Sequence, residues 1–297
     1  MKHINHARFC AEFQFRFSVP LIFSILTVTF VGSIFGFDDP TVAEILKRHS
    51  ESVGSEQARK DATNRVAIGV SEFVINLPAS RSTGKVLFAS DSNNSMLISS
   101  FDLLEYPFEK IGFFRGKVDV PFITPGTRSP IGSYLLLNDN LLSERLFGGV
   151  ITNGWRMFDP STMDRLKFGG RKKVNGKDAF VLKFTPKIAT SSDSSIDIFF
   201  DAKTFQNIRT EYRQTIPDKN AYLTTFIGNQ TGENINTLTE EFDDFRSAEG
   251  LTLPYKYTIK LVVNNRATTK DFRWIFKFDE YRIGQNFGED FFTFEKK

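Results

Sequence analysis

Asp178-Ala-Phe-Val-Leu-Lys-Phe184, Ser195-Ile-Asp-Ile-Phe-Phe200, Tyr255-Lys-Tyr-Thr-Ile-Lys-Leu261 and Phe272-Arg-Trp-Ile-Phe-Lys-Phe278 share one rhythm. A large apolar side chain recurs at every second residue, and polar or charged residues fill most of the gaps. Successive side chains of a strand point to opposite faces, so a period of two predicts consecutive antiparallel strands with one apolar and one charged face. Phe180, Leu182 and Phe184 share the apolar face, as do Ile196, Ile198 and Phe200, then Tyr255, Tyr257, Ile259 and Leu261, then Phe272, Trp274, Phe276 and Phe278. Between them, Ile208, Thr210 and Tyr212 alternate with Asn207, Arg209, Glu211 and Arg213. The pattern places Phe180, Phe200, Tyr257 and Trp274 inward, and Lys183, Arg209, Lys256 and Arg273 outward. Asn175-Gly176 has the chemistry of a two-residue hairpin turn. The functional question is what covers the apolar face: the protein's own helices, or a greasy ligand.

Upstream, Thr41-Val-Ala-Glu44 has the T-x-x-E form of a capping box that opens a helix. Val42, Ile45, Leu46, His49 and Val53 form its apolar stripe, Gly54 ends it, and Ser55 caps a second short helix. Strands are predicted at Arg65–Ile75, Gly84–Ala89, Ser95–Phe101 and Phe108–Phe114, with Gly69, Gly112 and Gly116 marking bends or bulges. Residues 117–164 break the rhythm. Pro121, Pro125 and Pro130 punctuate a loop, and Ile131 to Trp155 then reads as helical, interrupted by Gly148-Gly149. This segment is predicted to be a helical cover on the apolar face, with Leu141, Leu142, Leu146 and Phe147 in its inward stripe. Strands resume at Asp164–Phe168 and Lys172–Phe184. Thr190–Ser195 and Ile227–Asn236 read as exposed loops.

The N-terminus reads as an export signal. Lys2, His3, His6, Arg8 and Arg16 make a basic leader, Val19 to Phe35 carries no charge, and Ser33 and Gly36 are small residues where a secretory peptidase would cut. Residues 1–36 are therefore expected to be a cleaved signal peptide, with a mature N-terminus between Ile34 and Asp38. An uncleaved anchor is the alternative. The only cysteine, Cys10, precedes the apolar run, so this is not a lipoprotein signal, and the mature chain would have neither disulfides nor thiolate metal sites. Removing Lys2, Arg8, Arg16 and Glu12 brings the 38 basic and 35 acidic residues close to balance, and nothing suggests nucleic acid.

Phenylalanine is the compositional outlier, at 33 of 297 residues. That suits an aromatic core or an apolar cavity equally. Catalytic patterns are absent. His49 alone survives processing and is expected to be packed or capping rather than catalytic. No metal site with more than one His or Cys ligand can form. Glu240, Glu241, Asp243 and Asp244 are read as a solvated strand end, not an acid–base pair. Lys167, Arg171, Lys172, Lys173 and Lys177 are read as the exposed side of a hairpin, with contact to anionic head groups as the lesser alternative.

The order of parts carries a resemblance. Asn64-Arg-Val-Ala-Ile-Gly69 enters a sheet after two short helices. Lys173-Val-Asn-Gly-Lys-Asp-Ala-Phe-Val-Leu-Lys-Phe184 and Ile196-Asp-Ile-Phe-Phe-Asp-Ala-Lys-Thr-Phe205 follow, and Phe242-Asp-Asp-Phe-Arg-Ser-Ala-Glu-Gly-Leu-Thr-Leu-Pro254 closes the series. Over most of the mature chain this resembles the exported LolA-like superfamily of outer-membrane lipoprotein-sorting carriers and related lipid carriers. The resemblance implies an α+β fold: a strongly curved antiparallel β-sheet, an incomplete barrel, with helices covering the concave face. It implies one domain over 37–297, with a helical cover insertion around 117–164. It also implies acyl chains held between sheet and helices, and an arginine that locks the lid. No single residue matches that arginine, although Arg65 stands at a comparable place near the first strand.

The expected function is a non-catalytic, periplasmic or secreted binding protein or carrier for a lipid or lipoprotein acyl group, with no cofactor, metal or nucleic acid. Phe180, Leu182, Phe184, Ile196, Ile198, Phe200, Tyr255, Tyr257, Ile259, Trp274 and Phe276 would line its cavity. The alternative is an envelope scaffold or sensor that binds a protein partner, its interior filled by its own side chains.

Overall fold

Thr41 begins the first helix as its spacing predicts. In the computed structural model, which describes residues 39–76, 79–152, 160–186, 194–216, 234–264 and 269–294, both arms of the capping box are present. The Glu44 N–H donates to the Thr41 hydroxyl, and the Thr41 N–H donates to the Glu44 carboxylate. α1 (Val42–Val53) buries Ile45, Leu46, His49 and Val53, and Ser55 caps α2 (Glu56–Asp61). The expected signal peptide lies outside the described residues, as does most of the expected loops. The loop ends at 194–195 and 234–236 are already strand.

The described strands form one open antiparallel sheet: β1 (Arg65–Asn76), β2 (Ala79–Ser90), β3 (Ser95–Ser100), β4 (Phe108–Phe114), β5 (Lys117–Asp119), β6 (Leu166–Val174), β7 (Lys177–Phe184), β8 (Ser194–Asp201), β9 (Asn207–Ile216), β10 (Asn234–Ala248), β11 (Leu251–Asn264) and β12 (Thr269–Ile283). Their order is β5-β4-β3-β2-β1-β12-β11-β10-β9-β8-β7-β6. The chain is thus two meanders joined where β1 pairs with β12, with Phe73 opposite Trp274. β5 and β6 are the two edges. Between them in sequence, the described residues 120–152 carry Val120, Ile131, Tyr134, Leu135, Leu141, Leu142, Leu146, Phe147, Val150 and Ile151 into the core cluster on the concave face.

Bulges at Ile68/Gly69, Phe168/Arg171 and Phe199/Phe200 bend the sheet. At Gly69 a Cβ would stand 2.0 Å from the Lys277 carbonyl oxygen, so only glycine allows the close approach. Two-residue turns join β6 to β7 at Asn175-Gly176 and β10 to β11 at Glu249-Gly250. All four turn residues have positive φ, as turns that match the twist of a hairpin require.

The structure corrects three expectations. First, the outer face is not uniformly charged. Val174, Ala179, Val181, Phe199 and Ile208 form an apolar cluster there. The bulge between Phe199 and Phe200 leaves Ile208 without a direct partner and turns it away from the Tyr212 face. Second, Val66, Ala89, Met96 and Phe292 form another outer cluster, and Phe287, Phe291 and Phe294 of the C-terminal tail pack on it. The Phe294 N–H donates to the Asp119 carboxylate at 3.0 Å. Third, the cover is not one helix. It consists of α3 (Pro130–Leu137), α4 (Asn140–Ser143) and a 3-10 turn at Gly149–Ile151, while residues 153–155 lie outside the described set. Asn138 stops α3 by donating its side-chain amide to the Tyr134 carbonyl, which competes with helix continuation.

Candidate functional site

The concave face is assembled from β1 to β4 and β6 to β12. Phe180, Leu182, Phe184, Ile196, Ile198, Phe200, Tyr257, Ile259, Trp274 and Phe276 all belong to one buried cluster, each no more than 5 % exposed. Tyr255, the remaining candidate, is only partly buried. It lies edge-on to Tyr281 and under the Arg246 guanidinium at the margin of the cluster. Leu141, Leu142, Leu146 and Phe147 join the same cluster from the cover, together with Ile131, Tyr134, Leu135, Val150 and Ile151. The face is therefore filled by the protein's own side chains, packed ring against ring. Phe242 stacks on Tyr257 at 5.2 Å, and Phe73 stacks on Tyr106 at 4.2 Å.

Polar contacts tie the cover down at its turns. Glu240 of β10, read from sequence as part of a solvated strand end, is fully buried. One carboxylate oxygen accepts the Gly148 N–H at 2.7 Å and the Tyr257 hydroxyl, and the other accepts the Tyr212 hydroxyl at 2.5 Å. Burial pushes its pKa up to about 7, against the lowering effect of those three donors. Glu109 of β4 repeats the arrangement. It accepts hydroxyl hydrogen bonds from Ser129, the N-cap of α3, at 2.6 Å and from Tyr106, and burial raises it likewise to about 7. Arg65, buried at the start of β1, donates through Nη1 to the Val150 carbonyl of the cover. Burial draws its pKa down to about 10. Arg165 pairs with Glu144 of the cover while lying over the Phe184 ring.

Gly148-Gly149, which interrupts the helical pattern, fits the cover closely to the sheet. Both residues have positive φ, at 86° and 49°, and a Cβ on Gly149 would stand 2.7 Å from the Phe242 ring. Gly149→Ala combines a left-handed backbone with an overpacked contact. It is expected to cost about 1–3 kcal/mol in a denaturant midpoint experiment. Replacing exposed Leu136 on the cover's outer side by alanine should leave the midpoint nearly unchanged.

His49 is packed, as expected. It is 1 % exposed, with its Nδ1 2.9 Å from the Phe205 carbonyl and its ring edge-on to Phe200. Burial holds its pKa down at about 4, so the ring is neutral in place. Lys167, Arg171, Lys172, Lys173 and Lys177 are exposed on β6 and its hairpin, again as expected.

No protein-family model matches the sequence, and no curated protein matches it. Solved structures do. A LolA superfamily protein from Nitrosomonas europaea matches with a TM-score of 0.44 and 12 % identity, over 86 % of this chain and 98 % of that one. An outer membrane lipoprotein-sorting protein domain from Vibrio parahaemolyticus follows at TM-score 0.40 and 12 % identity, covering 84 % and 97 % of the two chains. A DUF1329 family protein from Desulfovibrio piger gives 0.39 and 12 %, over 86 % and 98 %. What this chain binds is read from its own residues.

Proposed function

We propose that this protein is an exported, non-catalytic carrier for an acyl chain in the bacterial envelope, seen here with its cover closed over the binding face. One observation carries the reading: a largely apolar sheet face is closed by a segment with little regular structure, anchored at its turns by a few polar contacts. A bound chain would take the places of Leu141, Leu142, Leu146 and Phe147 against Phe180, Ile198, Tyr257 and Trp274. The exchange is apolar for apolar. Each buried methylene contributes about 0.8 kcal/mol, so a chain of about ten offsets the burial lost by the displaced leucines and phenylalanine.

The filled interior supports a second reading, an envelope scaffold that never opens. Cross-linking separates the two. Exposed Ser92 and Ser143 flank the sheet–cover seam. Once the leader is cut, cysteines at these positions would be the only thiols. The carrier should bind a fluorescent fatty acid before a short bismaleimide joins the pair and lose that binding afterwards, with its thermal midpoint unchanged or raised. Equal probe binding in both states would rule out this gate, and no binding in either, with a filled interior, would favour the scaffold reading.

A further inference from the structure

A second feature lies outside the apolar face. At one end of the sheet the β2–β3 loop, the β4–β5 hairpin and the C-terminus of α4 surround a surface hollow of about 600 Å³, lined by Asn93, Asn94, Phe113, Phe114, Arg115 and Arg145. Both arginines hold a left-handed backbone, with φ 50° at Arg115 and 56° at Arg145. Each stands where backbone geometry favours another residue. Arg115 is the first residue of the Arg115-Gly116 turn between Phe114 and Lys117, a position that asparagine, aspartate or glycine normally takes. Arg145 follows the end of α4. Its N–H returns to the Leu142 carbonyl, and the Leu146 N–H returns to that of Leu141. That pair of bonds defines a helix stop whose left-handed residue is usually glycine.

The side chains are held in place. Arg145 donates to the Asn93 side-chain oxygen at 2.8 Å, and the Arg115 guanidinium lies 4.9 Å from the Phe114 ring centre. Asp91, in the same loop as Asn93, accepts the N–H groups of Asn93 and Asn94 and the Asn94 amide. Two guanidiniums on strained backbone, above a floor of Phe113 and Phe114, make an anion site with an apolar base. Asn175, Phe205, Asp244 and Glu249 share this backbone, so the site rests on the two guanidiniums lining one hollow, and the planar guanidinium fork matches phosphate.

We infer that this hollow binds a phosphate ester, the head group of the lipid whose acyl chain the cover would admit. The lipid source rests on the carrier reading; the phosphate chemistry does not. The hollow adjoins the cover, because Ser143 also lines it and Leu142 and Phe147 lie beneath its inner end. A head group there would leave its chain next to the cover's apolar stripe.

Calorimetry with the mature chain tests this using glycerol 3-phosphate, inorganic phosphate and short-chain phosphatidylglycerol. Phosphate ester binding is expected in the parent and should weaken at least tenfold in the double variant R115G/R145G. Glycine relieves the left-handed strain, so the same variant should melt at an equal or higher temperature. Lysine at both positions should keep part of the affinity. Tighter binding of phosphatidylglycerol than of the two small ions supports the lipid source, while equal binding of all three supports a free phosphate ligand in the same hollow. Unchanged affinity in R115G/R145G, no binding of any phosphate to the parent, or a lowered melting temperature would overturn the inference. Fluorescent fatty acid uptake by R115G/R145G tests the carrier reading separately, because that probe carries no phosphate.

Discussion

Glu240→Ala is expected to destabilise the fold by about 3 kcal/mol or more, because it leaves the Tyr257 hydroxyl and the Gly148 N–H buried without their acceptor. Glu240→Gln should behave oppositely. An amide keeps the Gly148 contact, the tyrosine hydroxyls can rotate to suit it, and no charge is buried. The pH dependence follows from the direction of the shift. A carboxyl raised from 4.5 to about 7 binds its proton more tightly in the folded state. Stability from this group is therefore greatest below pH 4.5, declines as pH rises through 7, and is level above that. Glu109 adds the same slope, whereas His49, lowered from 6.5 to about 4, adds stability that is lost as pH falls through that range. The three partly cancel near pH 5–6, so the informative measurement is a difference curve. Denaturant midpoints of Glu240→Gln minus parent, from pH 5 to pH 8, should rise with pH. A flat difference would mean that Glu240 is not the buried carboxylate described here.

Phe180→Ala should cost about 3–5 kcal/mol, the range for a large side chain removed from a packed interior. Phe180 is 5 % exposed and contacts Phe168 and Phe205 ring to ring, with Arg171 over its face. Lys256→Ala is the control. Lys256 lies on the outer face, partly exposed, with its ammonium 3.9 Å from Asp243, a surface pair worth less than about 1 kcal/mol. If both variants melt alike, the face assignment of the sheet is wrong. If Phe180→Ala costs under about 1.5 kcal/mol, the interior near it is open rather than filled.

The sheet was legible because a strand's periodicity is a local property. Phe108–Phe114 matches β4 at both ends, and Arg65–Ile75 and Ser95–Phe101 each fall within one residue of the observed strand. The Thr41 box and the Asn175-Gly176 turn were equally plain, since each satisfies its own backbone within four residues. The buried glutamates were half legible. Glu240 stands in phase with Leu238 and Phe242, and Glu109 in phase with Ile111 and Phe113, all of them buried. Phase alone argues that such a carboxylate faces inward. Its charge argues the reverse, and the tyrosine partners that reconcile the two come from other strands.

By itself, then, the sequence determined the strands, the caps and turns, the inward face and the existence of an intervening segment, all of which depend on neighbours along the chain. Tertiary structure alone decided the rest. It set β5 and β6 at opposite edges and packed the described part of the segment between them against the concave face. It brought Tyr212, Tyr257 and Gly148 around Glu240, laid the C-terminal phenylalanines on the outer face, and gathered Arg115 and Arg145 at one hollow. Each of these contacts joins residues far apart in sequence. Burial, and with it the cost of an unpaired polar group, is defined only once the chain has folded around them.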